Sequence, residues 1–213
     1  MFRLVLFAAL ALAAATARAG PTASEVATLC ADAEDAAHCG RLVEARQLAR
    51  LAGIAARDGD ELRVALYPSG TAVFRDRIGI DNVKTYALWD ALSPINAVLL
   101  YVTDGERTGF LLVQRAGGRT TPLPAEPVLS PDRRYVVTAD FCAEGCDNEI
   151  ALWRVSREDV RKERAWRPGA RWSDVTVEWQ SPARLVVEHT PAGANARDRV
   201  ELRLDDARWR NVP

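Results

Sequence analysis

Leu129-Ser-Pro-Asp-Arg-Arg-Tyr-Val-Val-Thr-Ala-Asp140 is the stretch on which the fold turns. Serine, proline and aspartate favour a tight turn, and Tyr135-Val136-Val137 behind them are strong strand formers. The unit recurs. Upstream stands Leu92-Ser-Pro-Ile-Asn-Ala-Val-Leu-Leu-Tyr-Val-Thr-Asp104, and downstream a shorter echo, Gln180-Ser-Pro-Ala-Arg-Leu-Val-Val-Glu188. Each Ser-Pro is followed by an apolar strand, a turn and another strand: Phe110–Arg115, Glu149–Val155 and Val200–Leu204. The repeats start at Ser93, Ser130 and Ser181, spaced 37 and 51 residues apart.

Between them, short strand patterns are separated by Gly, Pro, Asp and Ser. Val175, Val177 and Trp179 alternate with polar residues, as do Val200, Leu202 and Leu204. Further strands are expected at Leu62–Leu66, Ala72–Arg75, Thr85–Trp89, Ala97–Val102, Gly109–Arg115, Tyr135–Ala139 and Leu185–His189. Periods of roughly 40–50 residues with about four strands each suit propeller blades. Ser130-Pro131-Asp132-Arg133-Arg134-Tyr135-Val136-Val137, with Ile150-Ala151-Leu152-Trp153-Arg154-Val155 after it, resembles a blade of the TolB-type or WD40-like β-propellers over about residues 92–213. Arg133 stands where those blades place a glycine. The resemblance implies a mainly β, propeller-like binding scaffold and transfers no catalytic residue. An open β-sandwich of the same strands is the alternative.

Outward from the strands, residues 20–60 read as a helical segment packed on a β-rich repeat domain of residues 61–213. Thr22 and Glu25 form a capping-box pattern, with Val26, Leu29 and Ala33 at helical spacing. A second helical pattern runs from about Arg41 to Arg57, with Leu42, Ala45, Leu48, Ala49, Ala52 and Ala55 on one stripe. Residues 1–19 read as a secretory signal peptide: Arg3, the apolar run Leu4 to Ala15, and Ala17-Arg18-Ala19 at the cleavage site. That apolar run is shorter than the ~20 residues a bilayer span needs, and no later stretch approaches it. The expected address is periplasmic or secreted.

Of the 213 residues, 19 belong to the leader, leaving 194, enough for one sizeable core. The chain has 28 basic and 29 acidic residues; with Arg3 and Arg18 removed, the remainder nets −3. Nucleic-acid binding needs a concentrated basic face. The one basic run, Arg157 to Arg167, is broken by Glu158, Asp159 and Glu163 and reads as a solvated amphipathic segment. Only His38 and His189 are present, which excludes a His-rich zinc site. No Gly-x-Ser-x-Gly occurs, which argues against a serine-hydrolase triad.

An oxidising address makes Cys30, Cys39, Cys142 and Cys146 a disulfide framework with three possible connectivities. Nearness in sequence favours Cys30–Cys39, tying the helices, and Cys142–Cys146, holding a hairpin tip. The loop around the second pair carries Asp140, Glu144, Asp147, Asn148 and Glu149, oxygens of the kind Ca²⁺ takes, though without a dedicated calcium spacing. Trp166 and Trp172 flank Pro168-Gly169 and are expected in a loop, either as a carbohydrate or peptide platform or as cover for the end of the β-core. The chain thus reads as a non-catalytic binding module for a protein or saccharide ligand of the envelope. The alternative is a secreted hydrolase using remote carboxylates, with or without Ca²⁺. N-terminal sequencing of the exported protein is expected to begin at Gly20; an intact Met1 in the cytosol would remove both the address and the argument for oxidised cysteines.

Overall fold

The computed structural model describes residues 20–79, 83–142, 144–157 and 159–212. The signal-peptide reading falls on residues 1–19 and lies outside the described residues. Two helices, α1 (Ala23–Leu29) and α2 (Ala36–Arg50), precede four antiparallel sheets. The first sheet holds β1 (Ala55–Asp58), β2 (Glu61–Ala65) and β3 (Thr71–Arg75). The second holds β4 (Lys84–Leu92), β5 (Ala97–Asp104), β6 (Arg107–Gln114) and β7 (Arg119–Leu123). The third runs β8 (Val128–Leu129), β9 (Tyr135–Asp140), β10 (Glu149–Val155) and β11 (Val160–Trp166), and the late strand β15 (Arg210–Asn211) adds to β11. The fourth holds β12 (Trp172–Ser181), β13 (Arg184–Pro191) and β14 (Asp198–Arg203). Apart from β15, neighbours in a sheet are neighbours in the chain, so the connections are hairpins.

Each Ser-Pro joins the first and second strands of a sheet: Ser93 between β4 and β5, Ser130 between β8 and β9, Ser181 between β12 and β13. At Ser130 the turn is held by side chains. Ser130 Oγ donates to Asp132 Oδ1 at 2.7 Å and accepts from the Tyr135 N–H at 3.0 Å, while Asp132 Oδ1 also accepts from the Arg134 N–H. Arg133 has φ +63°, and Asn96, three residues after Ser93 as Arg133 is after Ser130, has φ +49°. The left-handed backbone that favours glycine is therefore present with arginine and asparagine in its place. Ser181-Pro182 turns differently, as a tight link between the paired ends Ser181 and Arg184.

Three apolar interfaces join the four sheets in series. Leu62 and Val64 of the first sheet meet Leu88, Val98, Leu100 and Val113 of the second. Ala97, Leu99 and Leu112 of the second meet Val136, Ala151 and Trp153 of the third. Val137, Ile150 and Leu152 of the third meet Leu185, Val187 and Leu202 of the fourth. A strand sends successive side chains to opposite faces, so β5 and β10 feed both neighbours alternately. That explains their unbroken apolar runs, Ala97–Tyr101 and Ile150–Trp153, against the clean alternation of β12. The outward faces of the end sheets are polar. On the fourth, Arg184–Glu201 links β13 to β14, Arg199–Glu201 runs along β14 and Arg197 just before β14 meets Glu188 of β13; on the first, Arg63–Glu61 runs along β2. Among the described residues no apolar cluster joins the first sheet to the fourth.

Asp35 caps α2, accepting from the His38 N–H at 2.7 Å, so the helix starts before Arg41. It also ends sooner than its stripe predicts. Gly53, with φ +80°, turns the chain, and Ala55–Asp58 pairs with β2 instead of prolonging the helix. Helix propensity of an Ala-rich stretch is a fraction of a kcal/mol per residue, and sheet pairing overrides it. One bond network holds α2 to both sheets. Glu44, 3 % exposed, accepts from Arg57 Nε at 2.9 Å and Nη2 at 2.7 Å, from Arg41 at 2.8 Å, and from the Leu88 N–H at 2.9 Å. Asp76 takes Arg41 and the Tyr86 N–H, and Arg57 also reaches the Tyr86 carbonyl. Cys30–Cys39 ties the end of α1 to the first turn of α2, and Cys142–Cys146 closes the β9–β10 connection.

Strands β1, β7, β8, β11 and β15 were not expected from sequence. The basic run is the main correction: it is strand β11, its cationic side chains laid over neighbours, Lys162 above the Trp153 ring and Arg164 donating to the Leu204 carbonyl. The stack predicts a sharp contrast between its inner and outer faces. Leu152→Ala, between two sheets, should cost about 2–5 kcal/mol, whereas Arg199→Ala on the outer face should stay within about 0.5 kcal/mol, as read by urea unfolding.

Candidate functional site

Strand β11 ends at Trp166, where the chain leaves the third sheet, and β15 returns beside it, pairing Arg164 with Asn211 and Ala165 with Arg210. Between them opens a concavity of about 510 Å³ lined by Glu149, Lys162, Ala165, Trp166, Arg167, Arg208, Arg210 and Val212. Four of these side chains are cationic and one is a carboxylate. The size falls in the range of small-molecule sites.

The segment that brings in the C-terminal cations is built around Trp209. Its indole is buried, with Nε1 donating to the Arg203 carbonyl at 2.8 Å. Arg208 sits in a turn closed by the Trp209 N–H donating to the Asp206 carbonyl at 3.2 Å, Arg210 opens β15, and both side chains line the concavity. Arg208 lies over the Trp166 ring, 5.0 Å from its centroid. Its Nε and Nη2 meet Asp206 at 2.9 and 2.7 Å, and Nη2 also donates to the Glu201 carbonyl at 2.6 Å. The guanidinium hydrogen bonds draw the Asp206 carboxyl down to about 2. Arg208 is thus clamped in place before any ligand arrives.

Glu149 opens β10 and is 2 % exposed. One oxygen takes Lys162, and the other takes Arg167 Nε at 3.2 Å. Arg167 also approaches Asp147 at 3.7 Å. A buried carboxylate is tolerated when paired in this way. Behind the site, Trp172 is the hinge of an aromatic cluster. It meets the edge of Trp166 at 5.2 Å, stacks on Phe141 at 5.4 Å, and lies 3.6 Å from the His189 ring. Burial pushes the His189 imidazole below its ordinary value, with Asp198 acting the other way, and its Nδ1 has no hydrogen-bond partner among the described residues.

The expected site residues divide accordingly. Trp166 and Glu149 line the concavity, and Asp147 touches it through Arg167. Trp172 is 8 % exposed and packs in the core between the third and fourth sheets; it opens β12, while Trp166 ends β11, so neither lies within a loop. Asp140 Oδ2 accepts from the Asp147 N–H at 3.0 Å, bracing the disulfide-closed tip, where Glu144 is exposed. The acidic loop does not converge: among the described residues no three His, Cys, Asp or Glu side chains are placed to hold a metal ion. No described helix is long and apolar enough to cross a membrane. Lys162, Arg167, Arg208 and Arg210 were missed as site residues. The signal for two of them was Arg208-Trp209-Arg210, an aromatic anchor between two outward cations.

No protein-family model, no curated protein and no solved structure matches the chain. The two tryptophans should separate cleanly on mutation. Trp172→Ala should cost about 3–5 kcal/mol of stability, as for large-to-small changes in a core, and Trp166→Ala distinctly less; chemical unfolding followed by circular dichroism reads both.

Proposed function

We propose that this chain is a secreted or periplasmic, non-catalytic binding module that holds its ligand in the Trp166 concavity. Its scaffold is a series of propeller-like blades left open at both ends. Support for that scaffold comes from the hairpin-linked sheets, the three Ser-Pro turns at equivalent strand junctions, and the polar faces that end the stack, as end units of repeat proteins require. Both disulfides fit an oxidising compartment.

One observation carries the functional reading. The concavity presents four cations and an aromatic ring on strand ends and clamped side chains, while its single lining carboxylate already accepts from two cations. Glycoside cleavage needs two carboxyl groups facing one bond, and among the described residues Glu149 is the one carboxylate that lines this site. A fixed set of donors beside an aromatic wall suits capture of a ligand, because little side-chain freedom is lost on binding.

The test is an array of immobilised glycans and peptides probed with the mature chain. Ligands retained by the native chain and lost by Trp166→Ala, at unchanged circular dichroism, are the expected result. Turnover of a polymeric substrate that vanishes in Glu149→Gln with folding intact would replace the module by an enzyme.

A further inference from the structure

We infer that the Trp166 concavity takes an acidic saccharide, a chain of hexuronic acid units, and that Arg210 receives a sugar carboxylate. The inference rests on the binding reading above and names its ligand class. It begins from charge. Lys162 is matched by Glu149, Arg167 by Glu149 and Asp147, and Arg208 by Asp206. Arg210 is different. Among the described residues it makes one hydrogen bond, to the Ala207 carbonyl at 2.7 Å, and no ion pair. A guanidinium has five N–H donors in a planar fork. Arg210 therefore keeps most of its donors for a ligand, at the rim, beside an Arg208 held rigid by Asp206 and Trp166. A carboxylate matches that fork in a bidentate pair.

Glu149 then discriminates among anions. Each of its oxygens accepts one protein donor, and a carboxylate offers about four acceptor positions, so capacity remains for a ligand donor. Placed in the same concavity as Arg210, it disfavours a bare or all-anionic ligand and suits one that carries hydroxyl donors as well as a carboxylate. Sugar acids carry both. Ala165, Trp166 and Val212 supply an apolar wall for the C–H face of a sugar ring. An acidic peptide fits less well. Peptides commonly bind sheets by adding to a free edge, and beside Trp166 the β11 edge is already taken by β15, with the Val212 N–H donating to the Glu163 carbonyl at 3.0 Å.

Titration calorimetry of the mature chain decides the matter. The probes are trimers of galacturonate, glucuronate and mannuronate, their methyl esters, and a glutamate-rich peptide. At least one free-acid trimer should bind, with its ester about tenfold weaker or worse. Arg210→Gln should weaken the acid by a similar factor while leaving the ester and the unfolding midpoint unchanged, and Arg210→Lys should restore part of the loss. Equal binding of acid and ester would overturn the carboxylate assignment. Tighter binding of the peptide would overturn the saccharide. If no trimer binds while an array ligand is still lost in Trp166→Ala, this inference fails and the binding reading stands; if the array yields no Trp166-dependent ligand, the binding reading itself fails.

Discussion

Two-sided burial of the middle sheets is the constraint on which the rest of the molecule depends. The inner strands of the second and third sheets are buried on both faces: Leu99 and Leu100, adjacent on β5, lie in different cores, as do Ala151 and Leu152 on β10. Slipping either strand by one residue would exchange every contact with both neighbours at once. The register of four sheets is therefore set cooperatively, although each sheet is assembled from local hairpins. At the ends of the stack the requirement is halved, and β12 alternates with exposed polar residues accordingly. Ion pairs on those outer faces are solvent-exposed and individually weak.

The helices contribute differently. α2 has few apolar residues to offer, and Glu44 and Gln47 are both buried on it. Glu44 compensates by bonding simultaneously to Arg57 of β1, to Arg41 of its own helix and to the backbone of β4. Such a network gives little net stability over an apolar contact, but removal of one member strands a buried charge at about 3–5 kcal/mol. It locks the helix in one place at a junction of two sheets. The same device recurs at the opposite end of the molecule, where Glu149 is held between Lys162 and Arg167, and there the charges border open space. Nearly identical chemistry anchors a helix in one place and borders a concavity in the other, and what separates them is that the second lies beside Arg210, which makes no ion pair among the described residues.

The mainly β character, most of the longer strands and the two disulfide links were legible in the chain itself, whereas β1, β7, β8, β11 and β15 were not. Ser-Pro turns, β-branched runs and closely spaced cysteines act over a few residues, so their consequences are local. The unbroken apolar runs of β5 and β10 likewise encode burial on both faces. Trp166 and Glu149 were singled out for their residue types.

What the tertiary structure alone decided is where distant pieces meet. Whether Ala55–Asp58 would extend a helix or join a sheet depended on β2 and on Glu44 across the helix, neither visible from local propensity. Whether the Arg157–Arg167 run was a solvated segment or a strand depended on Trp153 and on the late arrival of β15. Trp172 and Trp166, six residues apart in sequence, part company because one falls between two sheets and the other at the margin of one. Arg208 and Arg210 reach the site only because β15 skips the fourth sheet to pair with the third. Local sequence sets turns and faces through short-range sterics and burial period; charge pairs between separate elements, such as Arg41 with Asp76 and Glu149 with Lys162 and Arg167, exist only once the sheets have packed.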